Sequence, residues 1–105
     1  MIKVAFLYPN KPGTHFNADY YISDHMPLVI RLLGPAIKAV SAEIGISSAM
    51  PDQPAPFAAT ASFTFESVQA FTEAVMPHYR VLQGDIPNYT DIVPIVQISE
   101  IRISQ

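Results

Sequence analysis

The chemistry open to this 105-residue sequence rests largely on three histidines, five tyrosines and nine carboxylates, with no cysteine to act as a nucleophile. Two of the histidines hold informative places. His25 follows Tyr21 by one helical turn and precedes Pro27 by two residues, and His78 directly follows Pro77. On a wheel of about 100° per residue, His25 falls in the apolar arc of Ala18, Tyr21, Ile22, Met26, Val29 and Leu33. Asp19, Ser23, Asp24 and Arg31 fall opposite. His78 shares its arc with Ala70, Phe71, Ala74, Val75, Val81 and Leu82. Both side chains therefore aim at the layer beneath their helices. Imidazole titrates closest to neutrality and burial keeps it unprotonated, so His25 and His78 are candidate general bases or acids. A structural role is also open to each, as donor to the carbonyl that the neighbouring proline leaves unpaired. Asp85 has two readings as well: a carboxylate that orients a histidine or serves as a base at a pocket mouth, or an Asx residue of the turn after Gly84. Tyr8, Tyr20, Tyr21 and Tyr89 offer hydroxyls to a substrate oxygen, and His15 sits in a loop, in water.

Six elements must position these groups. Residues 2–8 alternate as a strand, with Ile2, Val4, Phe6 and Tyr8 on one face, and Pro9 to Gly13 turn the chain. A helix begins at the Asn17 cap, with Phe16 stapled to Tyr21, and ends at Gly34-Pro35, with a kink expected at Pro27. Residues 36–46 and 57–65 read as strands around a proline-rich loop. Ser67 caps a second helix reaching Gln83 and closed by Gly84, and residues 92–103 form the last strand. The order β-α-β-β-α-β over residues 1–105 predicts a single α+β domain, a ferredoxin-like antiparallel sheet with both helices on one face. The last strand reads as apolar on both sides: Val93, Ile95, Ile101 and Ile103 on one, Ile92, Val96 and Ile98 on the other. Strands of that kind are covered on both faces, and a second copy of the sheet is the simplest cover, so a homodimer is expected.

Composition narrows the function. Half the residues are apolar and only 14% are charged, against about 25% in ordinary domains, which excludes a disordered chain. A net charge of −3 without a basic run argues against nucleic acid. No apolar run approaches the ~18 residues of a membrane span, and the opening residues lack the features of a signal peptide, so a cytoplasmic protein is expected. The four glycines at 13, 34, 45 and 84 build no phosphate loop, and neither a GxSxG elbow nor an HExxH pair occurs. His25, His78 and Asp85 have no metal-ligand spacing. Neither a cofactor nor a metal is expected.

Several spaced motifs resemble the EthD family, named for a protein of ethyl tert-butyl ether degradation. They are Val4-Ala-Phe-Leu-Tyr-Pro9, Phe16-Asn-Ala-Asp-Tyr-Tyr21, Asp24-His-Met-Pro-Leu28, Gly84-Asp-Ile-Pro-Asn-Tyr-Thr90 and Pro94-Ile-Val-Gln-Ile-Ser-Glu100. His25 and Asp85 match the family pattern directly, while Asn17 stands where members more often carry Asp. The resemblance implies a dimeric α+β barrel with a pocket between helices and sheet. It also implies generic "reductase" labels and an association with a monooxygenase system, and relatives among cofactor-free cyclases and monooxygenases of aromatic compounds. Three functions are thus in play. The first is acid–base catalysis on a small apolar oxygenated compound, with His25, Asp85 and His78 catalytic and Tyr8, Tyr21 and Tyr89 binding substrate. The second is ligand binding in partnership with an oxidation system. The third is an oxidoreductase.

Overall fold

A computed structural model describes all of residues 1–105. Four antiparallel strands, β1 (Ile2–Pro9), β2 (Ala39–Ile44), β3 (Phe57–Phe65) and β4 (Ile95–Glu100), form one sheet in the order β2-β3-β1-β4. The helical segments α1 (Ala18–Tyr20), α2 (Met26–Leu33), α3 (Val68–Val75) and α4 (Tyr79–Asp85) supply the second layer. This is the α+β ferredoxin-like arrangement that the element order predicts. Central strand β1 pairs large side chains with small ones across the ladder: Phe6 opposes Ala61 and Tyr8 opposes Ala59. The alanines leave the two rings room on the helix side. Val4, Tyr8, Ala59, Ala61, Phe63 and Phe65 form the sheet's share of the core, with Met26, Val29 and Leu33 above them. Full burial of a side chain such as Val4 or Phe65 stabilises by roughly 1.5–3 kcal/mol.

The two helical layers are each interrupted at a proline. Between α1 and α2, Tyr21–His25 winds as a π turn, in which the Met26 N–H donates to the Tyr21 carbonyl. Pro27 has no N–H for the Ser23 carbonyl, and the chain widens one turn ahead of it instead of simply kinking. In the second layer Pro77 produces a 3₁₀ turn, Met76–His78, between α3 and α4. The end caps form where the sequence places them. The Asn17 side chain accepts from the Tyr20 N–H, Ser67 accepts from the Ala70 N–H, and the Phe16 and Tyr21 rings pack at 4.9 Å.

Several expected boundaries move, among them the far end of β2, which stops at Ile44 rather than at residue 46. α4 runs through Gly84, which has no positive φ and is no cap, so Asp85 closes the helix and a 3₁₀ turn, Ile86–Asn88, follows. Strand β2 begins three residues late, because Gly34 at φ 55° and Pro35 continue into a 3₁₀ turn, Gly34–Ala36. Strand β4 is shorter than residues 92–103 at both ends. It begins after Pro94, and it ends where its partner does, with Ile2 opposite Glu100. Val93, Ile101 and Ile103 thereby leave the sheet. The helix-free face is consequently mixed rather than apolar. Lys3, Ser41, Glu43, Thr60, Ser62, Thr64, Gln97 and Ser99 share it with Ala5, Leu7 and Ile95. Its polar groups pair among themselves, Thr60 Oγ1 donating to Glu43 at 2.7 Å. Exposed apolar side chains of the sheet stand on its two edge strands: Val40 and Ile44 on β2, Ile95, Val96 and Ile98 on β4. No helix is long and apolar enough to cross a membrane.

Two glycines offer opposed tests of this fold. A Cβ at Gly45 would collide with the Phe57 carbonyl oxygen and come 2.9 Å from Ala55 Cβ, whereas a Cβ at Gly84 meets nothing within 4 Å. Gly45→Ala should destabilise the protein by about 1–3 kcal/mol. Gly84→Ala, inside a helix, should stabilise it by about 0.4–1 kcal/mol. Urea unfolding of the two variants measures both signs, and a destabilised Gly84→Ala would restore that glycine as a cap.

Candidate active site

A cavity of about 290 Å³ lies between the helices and the sheet, close to the ~300 Å³ lower end for small-molecule pockets. Fourteen of its sixteen lining residues are hydrophobic. Its floor is Phe6, Phe63 and Phe65, and its far wall is Phe71, Val75 and Leu82. Tyr79, Gln83 and Val96 line it while exposed to solvent, so it opens between α4 and edge strand β4. Tyr8, Tyr21 and His25, each buried, make the closed end.

The closed end is assembled by the π turn and by a strap. In a π turn successive side chains separate by less angle than in an α-helix, which brings positions i and i+4 into line. Tyr21 and His25 are such a pair, and their rings stack at 5.7 Å with planes 16° apart. The strap is the segment after α4. The Asn17 N–H donates to the Tyr89 carbonyl at 2.7 Å, and Thr90 Oγ1 donates to the His15 carbonyl at 2.6 Å. These bonds tie residues 89–90 to the start of the first helical layer. Asp85 is thereby held beside His25, and Tyr89 is set under it, ring to ring at 4.6 Å.

His25 Nδ1 and Asp85 Oδ2 lie 2.8 Å apart, and the two side chains are 8% and 12% exposed. A carboxylate only accepts, so Nδ1 carries the proton and Nε2 holds the free lone pair. No buried side-chain nitrogen or oxygen lacks a hydrogen-bond partner, and Nε2 has none in the protein. It therefore faces the cavity that the ring lines. Burial holds the His25 pKa below its ordinary value, against the opposing pull of Asp85. The imidazole is a neutral base at pH 7. Burial pushes Asp85 up, but hydrogen bonds from Tyr20, Asn88 and His25 together bring it below its ordinary value. Asp85 Oδ1 accepts from the Tyr20 hydroxyl at 2.7 Å and from Asn88 Nδ2 at 3.0 Å. The pair is thus a base and the fixed carboxylate that orients it.

The other sequence candidates are distributed unevenly. His78 is half-buried at the α3–α4 turn, makes no hydrogen bond and does not line the cavity. The structure does not bring it to His25 and Asp85, and no group of three potential ligands for a metal forms anywhere. Tyr89 is fully buried behind the cavity wall, its hydroxyl 2.7 Å from that of Tyr8. Tyr20 faces Asp85 rather than the cavity. His15 is exposed beside Asp91, as its loop position implies. Asn88 was invisible to pattern reasoning, although its spacing of three from Asp85 in a turn is a usable signal.

A small α+β domain with an apolar helix–sheet cavity and a His–Asp pair at its closed end is the class that fold and site define. The EthD domain model matches residues 15–92, and the chain belongs to the EthD family. An EthD-like protein from Ralstonia eutropha JMP134 is 38% identical, with 99% of this chain and 94% of that one covered and a TM-score of 0.94. Two more distant structures share the fold. An EthD family protein from Bacillus halodurans C-125 has 15% identity, coverage of 95% and 97% of the two chains, and a TM-score of 0.73. HapK from Hahella chejuensis has 12% identity, coverage of 100% and 96%, and a TM-score of 0.66. Curated proteins show no match.

The depressed pKa of His25 makes stability depend on pH. Below about pH 6.5 the unfolded chain binds a proton that folded His25 refuses, so stability falls as pH falls. Asp85, held below 3.8, adds a second loss of the same sign at lower pH. Urea unfolding between pH 7.5 and about 4.5 should show the first slope in the wild type and a flatter profile in His25→Gln. Equal slopes would place His25 in water.

Proposed function

We propose that this EthD-family protein is an acid–base enzyme acting on a small, largely apolar compound that carries a carbonyl or phenolic oxygen. His25 Nε2 removes a proton from the carbon next to the carbonyl, or from the phenolic hydroxyl, Asp85 holds the imidazole and stabilises the imidazolium formed, and the tyrosine hydroxyls at the closed end receive the oxygen. The observation that carries this reading is the buried 2.8 Å His25–Asp85 bond on the wall of an otherwise apolar cavity. An apolar cavity alone serves a carrier protein equally well. A buried ionisable pair does not, since desolvating it costs several kcal/mol that simple retention of a ligand has no use for. The Tyr21 ring stacked on His25 and the Tyr89 ring tilted against it add to the case, because aromatic rings stabilise the cation that proton abstraction creates.

In the reaction the substrate's apolar body fills the space toward Tyr79 and Val96, and its oxygen enters first. The C–H electron pair becomes a carbon–carbon double bond, the carbonyl π pair moves onto oxygen, and the proton resides on Nε2. Reversal, or delivery of the proton to another carbon, completes an exchange, an isomerisation or the first half of a dehydration. 2-Tetralone, a bicyclic ketone with acidic hydrogens beside its carbonyl, is a suitable probe, with hydrogen–deuterium exchange in D₂O followed by proton NMR. His25→Ala, with its fold checked by circular dichroism, should exchange about 10²–10⁴-fold more slowly than the wild type. Asp85→Asn should lose at least about 10-fold, with its acid limb moved to lower pH because the upward pull on His25 is gone. An unchanged rate in His25→Ala removes that residue from the chemistry.

We also propose that the protein works as a homodimer closed over the helix-free sheet face, which its own chain leaves uncovered. Ser62 sits in the middle of that face, between Ala5 and Ser41. Sedimentation at micromolar concentration should give the dimer mass for the wild type and the monomer mass for Ser62→Arg. A wild-type monomer sinks the proposal.

A further inference from the structure

The three tyrosines at the closed end are not equivalent, and counting protons assigns their hydrogen bonds. Tyr89 is fully buried, and its hydroxyl meets one partner, the Tyr8 hydroxyl at 2.7 Å. A hydroxyl carries one proton and two lone pairs. Were Tyr8 the donor, the Tyr89 proton would be buried without an acceptor, which is far more costly than an unused lone pair. Tyr89 therefore donates to Tyr8. The Tyr8 proton is left to point away from Tyr89, and Tyr8, unlike Tyr89, lines the cavity. One ring also spans the two reactive groups: Tyr89 lies 6.0 Å from the Tyr8 ring and 4.6 Å from the His25 ring, centroid to centroid. Tyr8 and His25 thus line the same end of the cavity and share the Tyr89 ring as a neighbour.

The charge of the ligand follows from the same lining. Apart from His25 no ionisable group but the phenols of Tyr8, Tyr21 and Tyr79 faces the cavity, and it contains neither Lys nor Arg, Asp nor Glu. A substrate carboxylate or phosphate would be buried there with no cation to meet it.

We propose that Tyr8 is the electrophile of the site, donating a hydrogen bond to the oxygen of an uncharged ketone whose adjacent carbon loses its proton to His25. Tyr89 is its positioning residue. This deepens the proton-abstraction reading and rests on it for the role of the base. As charge builds on the ketone oxygen, the Tyr8 bond strengthens, and the bond Tyr8 accepts from Tyr89 polarises it further. The acidities agree with that order. Burial raises all three phenols, but the hydroxyls of Tyr89 and Tyr21 pull Tyr8 back down, whereas Tyr8 pushes both of them further up. Proton and electrons balance without a further reactant: the proton moves from carbon to Nε2, the C–H pair becomes the enolate double bond, and the Tyr8 proton stays shared with the oxygen.

Two measurements test this. In the 2-tetralone exchange assay, Tyr8→Phe should lose about 10²-fold or more, Tyr89→Phe a smaller factor near 10, and Tyr21→Phe less than Tyr8→Phe. Rescue of nothing but fold is expected from Phe, so melting by circular dichroism must show each variant folded. The second measurement is binding of 2-naphthol, the flat analogue of the enol of 2-tetralone, by its own fluorescence. Tyr8→Phe should weaken it about 10-fold. His25→Ala, which removes the base and not the oxygen's donor, should weaken it less than Tyr8→Phe. 2-Naphthoate, the same ring system bearing a carboxylate, should bind the wild type more weakly than 2-naphthol. A wild type inactive in exchange but with Tyr8-dependent naphthol binding defeats the assigned base while supporting Tyr8 as the oxygen's partner. Wild-type exchange and naphthol affinity in Tyr8→Phe, no saturable naphthol binding at all, or tighter naphthoate binding each overturn the proposal.

Discussion

The contact that the folded chain is built to place is the hydrogen bond between His25 and Asp85, sixty residues apart in sequence. It joins the inner face of the first helical layer to the last turn of the second, over the central strand. Three conditions must hold for it to form. The π turn must swing His25 into line with Tyr21. α4 must run through Gly84 so that Asp85 falls at its end. The strap at residues 89–90 must be pinned back on residues 15–17. Each condition is met by hydrogen bonds of the backbone, by the Thr90 hydroxyl or by a missing donor, and none by the dyad itself. The dyad is therefore positioned by the fold, and does not hold it together.

Prolines shape the site more than any other residue type. Ten occur in the chain, and four of them, Pro27, Pro35, Pro77 and Pro87, sit within or just after helical segments. At each the i to i−4 ladder loses a donor, and the chain answers with a wider or a tighter turn. The π turn ahead of Pro27 aligns Tyr21 with His25. The 3₁₀ turn at Pro77 divides the second layer into α3 and α4. The 3₁₀ turn holding Pro87 lets Asn88 fold back on Asp85.

What could be read from the sequence follows from which physical signals are local. Strand β3 is legible to the residue, because Phe57 to Phe65 alternates without interruption and nothing non-local competes with that pattern. The caps at Asn17 and Ser67 are legible for the same reason. The end of β4 is not, since it is decided by where β1 begins, ninety-odd residues earlier in the chain. Gly84 misleads because glycine after a helical run has two uses, and only the backbone angle tells a cap from a tolerated interior residue. At the site, the wheel places His25 inward correctly but cannot separate it from His78, which has the same periodicity and lies outside the cavity. The difference is made by the strap, a long-range contact that no helical period encodes. Tyr20 is a further case: its hydroxyl was expected to face a ligand and instead holds Asp85.

The low charge content takes on a different meaning once the side chains are placed. Its surplus of apolar residues is not gathered on the helix-free face, which is half polar, but lines the cavity and stands on the sheet edges and the outer faces of the helices. The few polar groups in the interior are gathered at one end, where Tyr8, Tyr20, Tyr21, His25, Asp85 and Tyr89 surround a single closed pocket end. Spread through the core, those groups would each need a separate partner, and any left unpaired would cost about 1–3 kcal/mol. Gathered, they pair with one another, and no buried side-chain nitrogen or oxygen is left over. The atoms whose capacity is not used up inside the protein are the His25 Nε2 lone pair and the hydroxyl protons facing the cavity, so unused hydrogen bonding and the empty space coincide. That coincidence is what an apolar fold needs in order to present a polar reaction centre to an apolar ligand.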